Sequence, residues 1–281
     1  MQVLILPHIE NFNLAEESFK DVDFDKTFFK NLRYIFGDTG AYVRYQNKDC
    51  KDYDLVWLSS HWGTRDLAYA LDIYLDSKKT KHTAVERAGS KVTDHMKFSL
   101  SNINTPKTYY INTKKIEPYI EEIEVHCGYP MVVKDIKGCR GRNTFLVHNR
   151  EELNDTVASL NPETKVLYQE YIPNEYDWGV LISGGKVVAA EKSYPSEGEF
   201  RNNACNGARE EFVDLSECPE EIQWMAIDSA KSLGLDWCRA DIVVHEDTNK
   251  PYLLEINRYP GITKGTDEVE AVKKYITSMV N

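Results

Sequence analysis

The sequence predicts an α/β chain: a small N-terminal α/β domain followed by a larger region in which strands and helices alternate. Three observations carry this. Strand-like runs of four to seven residues recur between helix-like runs along most of the 281 residues. Segment 180–190 breaks at Gly184-Gly185, a strong hairpin signal. Segments 239–245 and 251–257 both alternate apolar and polar residues about a polar turn at 246–250.

In chain order, 3–6, 41–45 and 55–58 read as strands of the first domain, and 28–36 and 65–75 as helices. The polar stretch 76–81 reads as a linker, so the domain division is set at 1–88 and 89–281. A helix is predicted over 92–101, stopped before Pro106 because proline cannot continue it. Strands at 108–111, 131–134, 144–147 and 166–169 alternate with helices at 114–127 and from 151 onward. Helices at 220–233 and 267–279 flank the final hairpin, and the two lobes of the second domain divide near 105–170 and 171–281.

Composition narrows the function. The chain is 42% apolar and 28% charged, as a folded globular protein requires. Its formal charge of −11 argues against nucleic acid or an anionic membrane as partner. Six cysteines form no Cys-x-x-Cys pair, and residues 1–7 lack a signal peptide's basic start, so a cytoplasmic, thiol-reduced protein is expected. A homo-oligomer is compatible with the sequence.

The final hairpin holds the sharpest chemistry. Centred near Thr248, it sets Asp241 opposite Glu255, and Asn257 shares a face with Glu255. Ile242, Val244, Tyr252, Leu254 and Ile256 then point to the core. Two carboxylates and an amide oxygen suit a hard divalent cation, Mg²⁺ or Mn²⁺. The alternative is an ordinary surface hairpin with acidic residues on its wet face.

A second stretch suits anions. Gly138 and Gly141 let backbone N–H groups approach a phosphate, and Lys134, Lys137, Arg140 and Arg142 crowd the same loop. A solvated basic hairpin is the plainer reading. Downstream, the strand ending in Gln169, Glu170, Tyr171 and Ile172 runs into Pro173. It is a candidate hinge for a purine edge, with Asp177 a candidate for sugar hydroxyls.

In this order the segments resemble the ATP-grasp family of carboxylate–amine ligases, over roughly residues 88–265. Residues 90–106 resemble the family's lysine-bearing helix, so Lys91 matches a lysine on nucleotide phosphate, whereas Lys97 falls at the wrong distance from Pro106. Tyr129-Pro-Met-Val-Val-Lys134 resembles the strand of the second nucleotide lysine. The loop after it departs from the pattern, because Asn143 stands where a third glycine is common. Glu197-Gly-Glu-Phe-Arg-Asn-Asn203 resembles a segment of the ribosomal-protein glutamate ligase (RimK-like) subgroup, which implies that Arg201 and Asn203 face the terminal phosphate and the acyl group. Arg239, two residues before Asp241, resembles D-alanine–D-alanine ligases, and Gly179 stands where the glutamate-ligase subgroup often has arginine.

The resemblance implies an ATP-grasp fold whose two α+β lobes clamp ATP. It implies a reaction that forms an amide from a carboxylate acceptor and an amine donor through an acylphosphate. ATP and Mg²⁺ would be held by Lys91, Lys134, Gly138, Arg140, Gly141, Gln169, Glu170, Tyr171, Ile172 and Asp177, and by Asp241, Glu255 and Asn257. Arg201, Arg239 and Asn203 would be catalytic. Cys139 and Cys205 read as incidental. His8, His61 and Trp62, at strand ends of the first domain, are candidate substrate contacts or merely structural. A kinase acting on a small-molecule hydroxyl, or a nucleotide-binding scaffold without catalysis, remain the alternatives.

Overall fold

The computed structural model describes all residues but 39, 62, 84, 86–88, 139, 140, 162, 203–205 and 281, and the side chain of 280. The elements are β1 (Gln2–Leu6), α1 (Asn13–Glu16), β2 (Asp23–Lys26), β3 (Leu32–Gly37), β4 (Gly40–Tyr45), β5 (Lys48–Asp49), β6 (Leu55–Leu58), α2 (Arg65–Lys78), α3 (Lys91–Leu100), β7 (Thr108–Tyr109), α4 (Ile120–Cys127), β8 (Met131–Asp135), β9 (Thr144–Val147), α5 (Arg150–Ser159), β10 (Val166–Glu170), β11 (Asp177–Ser183), β12 (Lys186–Tyr194), β13 (Arg209–Val213), α6 (Glu220–Leu233), β14 (Trp237–Val244), β15 (Pro251–Asn257) and α7 (Asp267–Val280). They build four sheets, in strand orders β2-β1-β6, β3-β4-β5, β7-β10-β8-β9 and β13-β12-β11-β14-β15. No helix among the described residues is long and apolar enough to cross a membrane.

The first sheet is parallel; β1 beyond Gln2 and all of β6 are buried, as their near-continuous apolar runs demand, while the edge strand β2 buries only Phe24. Residues 28–36 depart from expectation. Their apolar spacing fits a helix, yet Phe29–Asn31 makes only a 3₁₀ turn and Leu32–Gly37 pairs antiparallel with β4. The aromatic and β-branched run Tyr34-Ile-Phe fits a pleated surface better than a helix. The expected linker at 76–81 also dissolves: α2 continues to Lys78, Lys79 caps it at φ 57°, and His82 pairs in parallel with Val56. Pro118 shortens the helix expected over 114–127 to α4, preceded by two 3₁₀ turns. Strands β2, β5 and β13 carry no clear sequence signal.

One apolar core joins both ends of the chain. Val3, Ile5 and Trp57 pack with Leu181, Trp237, Val272, Tyr275 and Ile276, and Trp57 meets Trp237 edge to face at 5.4 Å between centroids. The other face of the five-stranded sheet packs Val180, Ile182, Ala240, Ile242, Leu253 and Ile256 against α6 and Phe98 of α3. A separate core under β8 and β10 uses Met131, Val133, Val166 and Tyr168 against α4 and α5. By alternation, Val132, Lys134, Leu167 and Gln169 take the opposite face, toward the five-stranded sheet.

The final hairpin forms with Asp241 opposite Glu255 and Arg239 opposite Asn257. The register then slips, because Ile242 pairs with Leu253 and Leu254 is the extra residue of a β-bulge. The bulge corrects the expected core list: Leu253 is fully buried there, whereas Leu254 and Tyr252 are half-buried and lie outside that core.

Candidate active site

Between the four- and five-stranded sheets lies a cleft whose empty space, open solvent at its mouth included, is about 850 Å³. Twelve of the residues singled out from sequence line it: Lys91, Lys134, Gly138, Gly141, Gln169, Glu170, Tyr171, Ile172, Asp177, Arg201, Asp241 and Glu255. Arg239 and Asn257 sit one step along the hairpin from the lining carboxylates. Arg140 and Asn203, with Cys139, Cys205 and Trp62, lie outside the described residues. The four described free cysteines are all buried.

The five-stranded wall is built by register. Glu191 of β12 pairs with Gly179 of β11, Gly179 with Asp241 of β14, and Asp241 with Glu255 of β15, a single rung across four strands. Asn257 donates its amide N–H to Asp241 Oδ2 at 2.8 Å. Burial and the neighbouring Glu255 raise the Asp241 carboxyl, with Arg239 opposing. Burial acts the same way on Glu255, but Lys91 and Lys134 outweigh it and hold that carboxyl low. Asp177, one rung away, is raised by burial and then by Asp241 and Glu191.

The facing wall is cationic. Lys134, 8% exposed, is lowered to about 7, first by burial and then by Lys91, while Glu255 and Asp241 oppose the shift. Lys91 reaches Glu255 as an ion pair. Its placement follows from local sequence: the Ser90–Thr93 capping box starts α3 at Lys91, so Lys91 is the first helical residue. A buried bidentate pair then docks the helix, Arg258 Nη1 and Nη2 donating to Asp94 Oδ2 and Oδ1 at 2.9 and 2.8 Å. Arg258 follows Asn257 directly, so this pair sets Lys91 against the end of β15.

The glycine loop needs its glycines. A Cβ at Gly138 would come within 2.7 Å of the Arg142 carbonyl, and Gly141 has φ +68°. Asn143 at φ 51° takes the left-handed conformation that asparagine tolerates best after glycine, so a residue other than glycine can stand there. Arg201 closes over the loop. Its Nη1 donates to Gly141 O at 2.9 Å, while Nε and Nη2 hold Glu199 at 2.9 and 2.6 Å.

The hinge is partly engaged by the protein itself. Gln169, 3% exposed, donates to Thr108 Oγ1 at 2.7 Å and lies 3.2 Å from His95 Nε2. Glu170 accepts from the Lys107 N–H at 3.2 Å, and Ile172 O accepts from Asn174 Nδ2 at 2.7 Å. Burial, helped by Lys134 and Lys91, depresses His95 to about 3, so it is neutral. His95 was missed from sequence, although it lies four residues from Lys91 on one helix face. Lys97 is exposed, as its spacing predicts. His8 and His61 do not line the cleft: Tyr259 donates to the His8 carbonyl, and the exposed His61 accepts from the Gly63 N–H at 3.3 Å.

Arg239 is the residue whose surroundings the sequence least foretold. Nη1 donates to Glu191 Oε1 at 2.9 Å and Nη2 to Glu268 of α7. Burial raises Glu191 to about 7 despite Arg239, with Glu210 and Glu268 adding to the rise.

Comparison with known proteins supports the same frame. The profile of the RimK-like ATP-grasp domain matches residues 88–279. A protein named probable alpha-L-glutamate ligase from Marinomonas sp. (strain MWYL1) is 31% identical over 201 residues, 70% of this chain, and the match spans 63% of that relative's length. The VanG D-Ala:D-Ser ligase from Enterococcus faecalis superposes with a TM-score of 0.72 at 14% identity, covering 100% of this chain and 99% of that one. The ATP-grasp ligase PsnB, solved with a minimal precursor, Mg and ADP, gives 0.69 at 13% identity over 100% and 97%. At such identities these structures establish the fold: it is an ATP-grasp fold, and the chain belongs to the RimK-like ATP-grasp family.

Proposed function

We propose that the protein is an ATP-dependent carboxylate–amine ligase, joining an amino acid or peptide carboxylate to an amine through an acylphosphate. The observation that carries this is the pairing of walls: a rung of carboxylates at Asp241 and Glu255 faces Lys91 and Lys134 across one cleft.

The donor set fits a divalent ion. Asp241 and Glu255 are like charges held opposite each other, one of them raised by the other, and a hard cation relieves that repulsion. Asp241, Glu255 and the Asn257 amide oxygen would hold Mg²⁺ or Mn²⁺, which when bound offsets charge on the nucleotide phosphates. Lys91 neutralises Glu255 in the free chain and would exchange it for a phosphate oxygen. Lys134 neutralises phosphate from the facing sheet. The glycine loop would offer backbone N–H groups to phosphate, Tyr171 and Ile172 would contact the purine, and Asp177 the sugar hydroxyls.

The chemistry asks for little more. A carboxylate is a poor electrophile until the γ-phosphoryl group is placed on it. Transfer then depends on position and on cationic stabilisation, which Arg201 and Arg239 would supply. The amine attacks the acylphosphate, and phosphate leaves. No nucleophilic side chain is needed.

A screen of ADP and phosphate release against pooled amino acids and peptides, with mass spectrometry of the product, tests this. ADP, phosphate and a new amide are expected. ADP with a phosphorylated alcohol would replace the ligase by a kinase, and nucleotide binding without turnover would make the chain a scaffold.

A further inference from the structure

The rung Glu191–Gly179–Asp241–Glu255 has one gap, at Gly179, and Glu191 leans into it. A Cβ on Gly179 would stand 2.5 Å from Glu191 Oε1 and 2.8 Å from its Cγ, so any side chain there displaces the carboxylate. Through that gap Glu191 reaches Arg239 Nη1, while Glu268 holds Nη2 from the other side. Glu268 is itself fixed, since its Oε2 accepts the Thr263 N–H at 2.8 Å and the residue is 1% exposed. Charge neutralisation needs one carboxylate. Two, one on each terminal nitrogen, also fix the plane and tilt of the guanidinium, and a planar fork acts through its orientation. Each terminal nitrogen keeps a second N–H beyond the one used. Arg239 shares the cleft face with Asp241, two residues along β14.

We propose that Glu191 and Glu268 are positioning residues that aim Arg239 at the phosphoryl group in transfer, and that Gly179 is the gap admitting Glu191. The inference rests on the ligase reading and deepens it. It accounts for glycine at 179, because an arginine there would have to push Glu191 off Arg239.

The test needs no knowledge of the acyl substrate. Mg·ADP with aluminium fluoride mimics the group in transfer, and its affinity is compared with that of Mg·ADP alone by calorimetry. Glu268→Gln and Glu191→Gln keep shape, and Gly179→Ala presses first on Glu191, which supplies the three atoms nearest the added Cβ. Each variant is expected to lose at least about fivefold of the wild-type preference for the fluoroaluminate complex, with Mg·ADP affinity within about twofold of wild type. In an Arg239→Ala background the same changes are expected to do nothing further. Two results would overturn the inference: an unchanged preference in both Glu268→Gln and Gly179→Ala, or losses equally large without Arg239. A wild-type protein that binds Mg·ADP but shows no preference would overturn it as well. A wild-type protein that fails to bind Mg·ADP contradicts the nucleotide reading itself, and this inference with it.

Discussion

The two walls of the cleft do opposite work by different means. On the five-stranded sheet, Asp241, Glu255 and Glu191 are placed by strand register, so their geometry follows from backbone hydrogen bonding. On the other side, Lys134 sits on a strand, but Lys91 comes from a helix tip held by the Arg258–Asp94 pair, and Gly138 and Gly141 from a loop. The acidic wall is thus rigid by construction, and the basic wall depends on a few long-range contacts. Substitutions should therefore split: changes on the acidic wall remove chemistry while the fold holds, and changes behind the basic wall cost stability or affinity.

The largest effect is expected on the acidic wall. Glu255→Gln keeps the shape of the rung but removes a metal charge, and ADP formation should fall by on the order of 10³-fold or more while the melting transition survives. A folded Glu255→Gln protein with wild-type ADP release would break the comparison at its strongest point.

Behind the basic wall, Asp94→Ala removes the carboxylate paired with the buried Arg258 guanidinium, which keeps the Ile256 carbonyl at 3.2 Å. Loss of about 3–5 kcal/mol in urea unfolding is expected. A loss below about 1 kcal/mol would show that α3 is held by other contacts. Lys134→Ala should be milder, weakening a non-hydrolysable ATP analogue by roughly 1–3 kcal/mol. Lys97→Ala, on the exposed face of the same helix as Lys91, should leave affinity unchanged. Equal losses at 134 and 97 would mean the wrong helix face has been assigned.

How much of this was legible depended on the distance over which information travels. The hairpin is local, so its period and turn placed Asp241 opposite Glu255 correctly. The bulge that moves Leu254 to the cleft and Leu253 to the core is a one-residue slip with no local signature. Lys91 was found through the resemblance of residues 90–106 to a lysine-bearing family helix, since the predicted helix began only at 92 and the Ser90–Thr93 capping box emerged with the structure. The partners of Arg239 lie 48 and 29 residues away on other elements, and no spacing rule reaches them. Residues 28–36 misled for the reverse reason: a helical apolar spacing lost to pairing with β4, a tertiary choice.

The smallest effect concerns His95, buried between the walls. Its folded pKa of about 3 lies below the unfolded value near 6.5, so the unfolded chain binds the extra proton between those limits. Stability from this group is complete above about pH 6.5 and is lost as pH falls toward 3, with a slope of at most about 1.4 kcal/mol per pH unit. Unfolding of His95→Gln followed from pH 7 to 4 should show a shallower decline than wild type. Parallel curves would mean that His95 is charged in the folded protein.

The central claim is that the two walls hold one metal–nucleotide complex between them. Calorimetric titration of a non-hydrolysable ATP analogue, with and without Mg²⁺, tests it on wild type and Glu255→Gln. The account predicts that Mg²⁺ strengthens binding to wild type, and that most of this gain disappears in Glu255→Gln while metal-free binding changes little. A Mg²⁺ gain that survives intact in Glu255→Gln would contradict it.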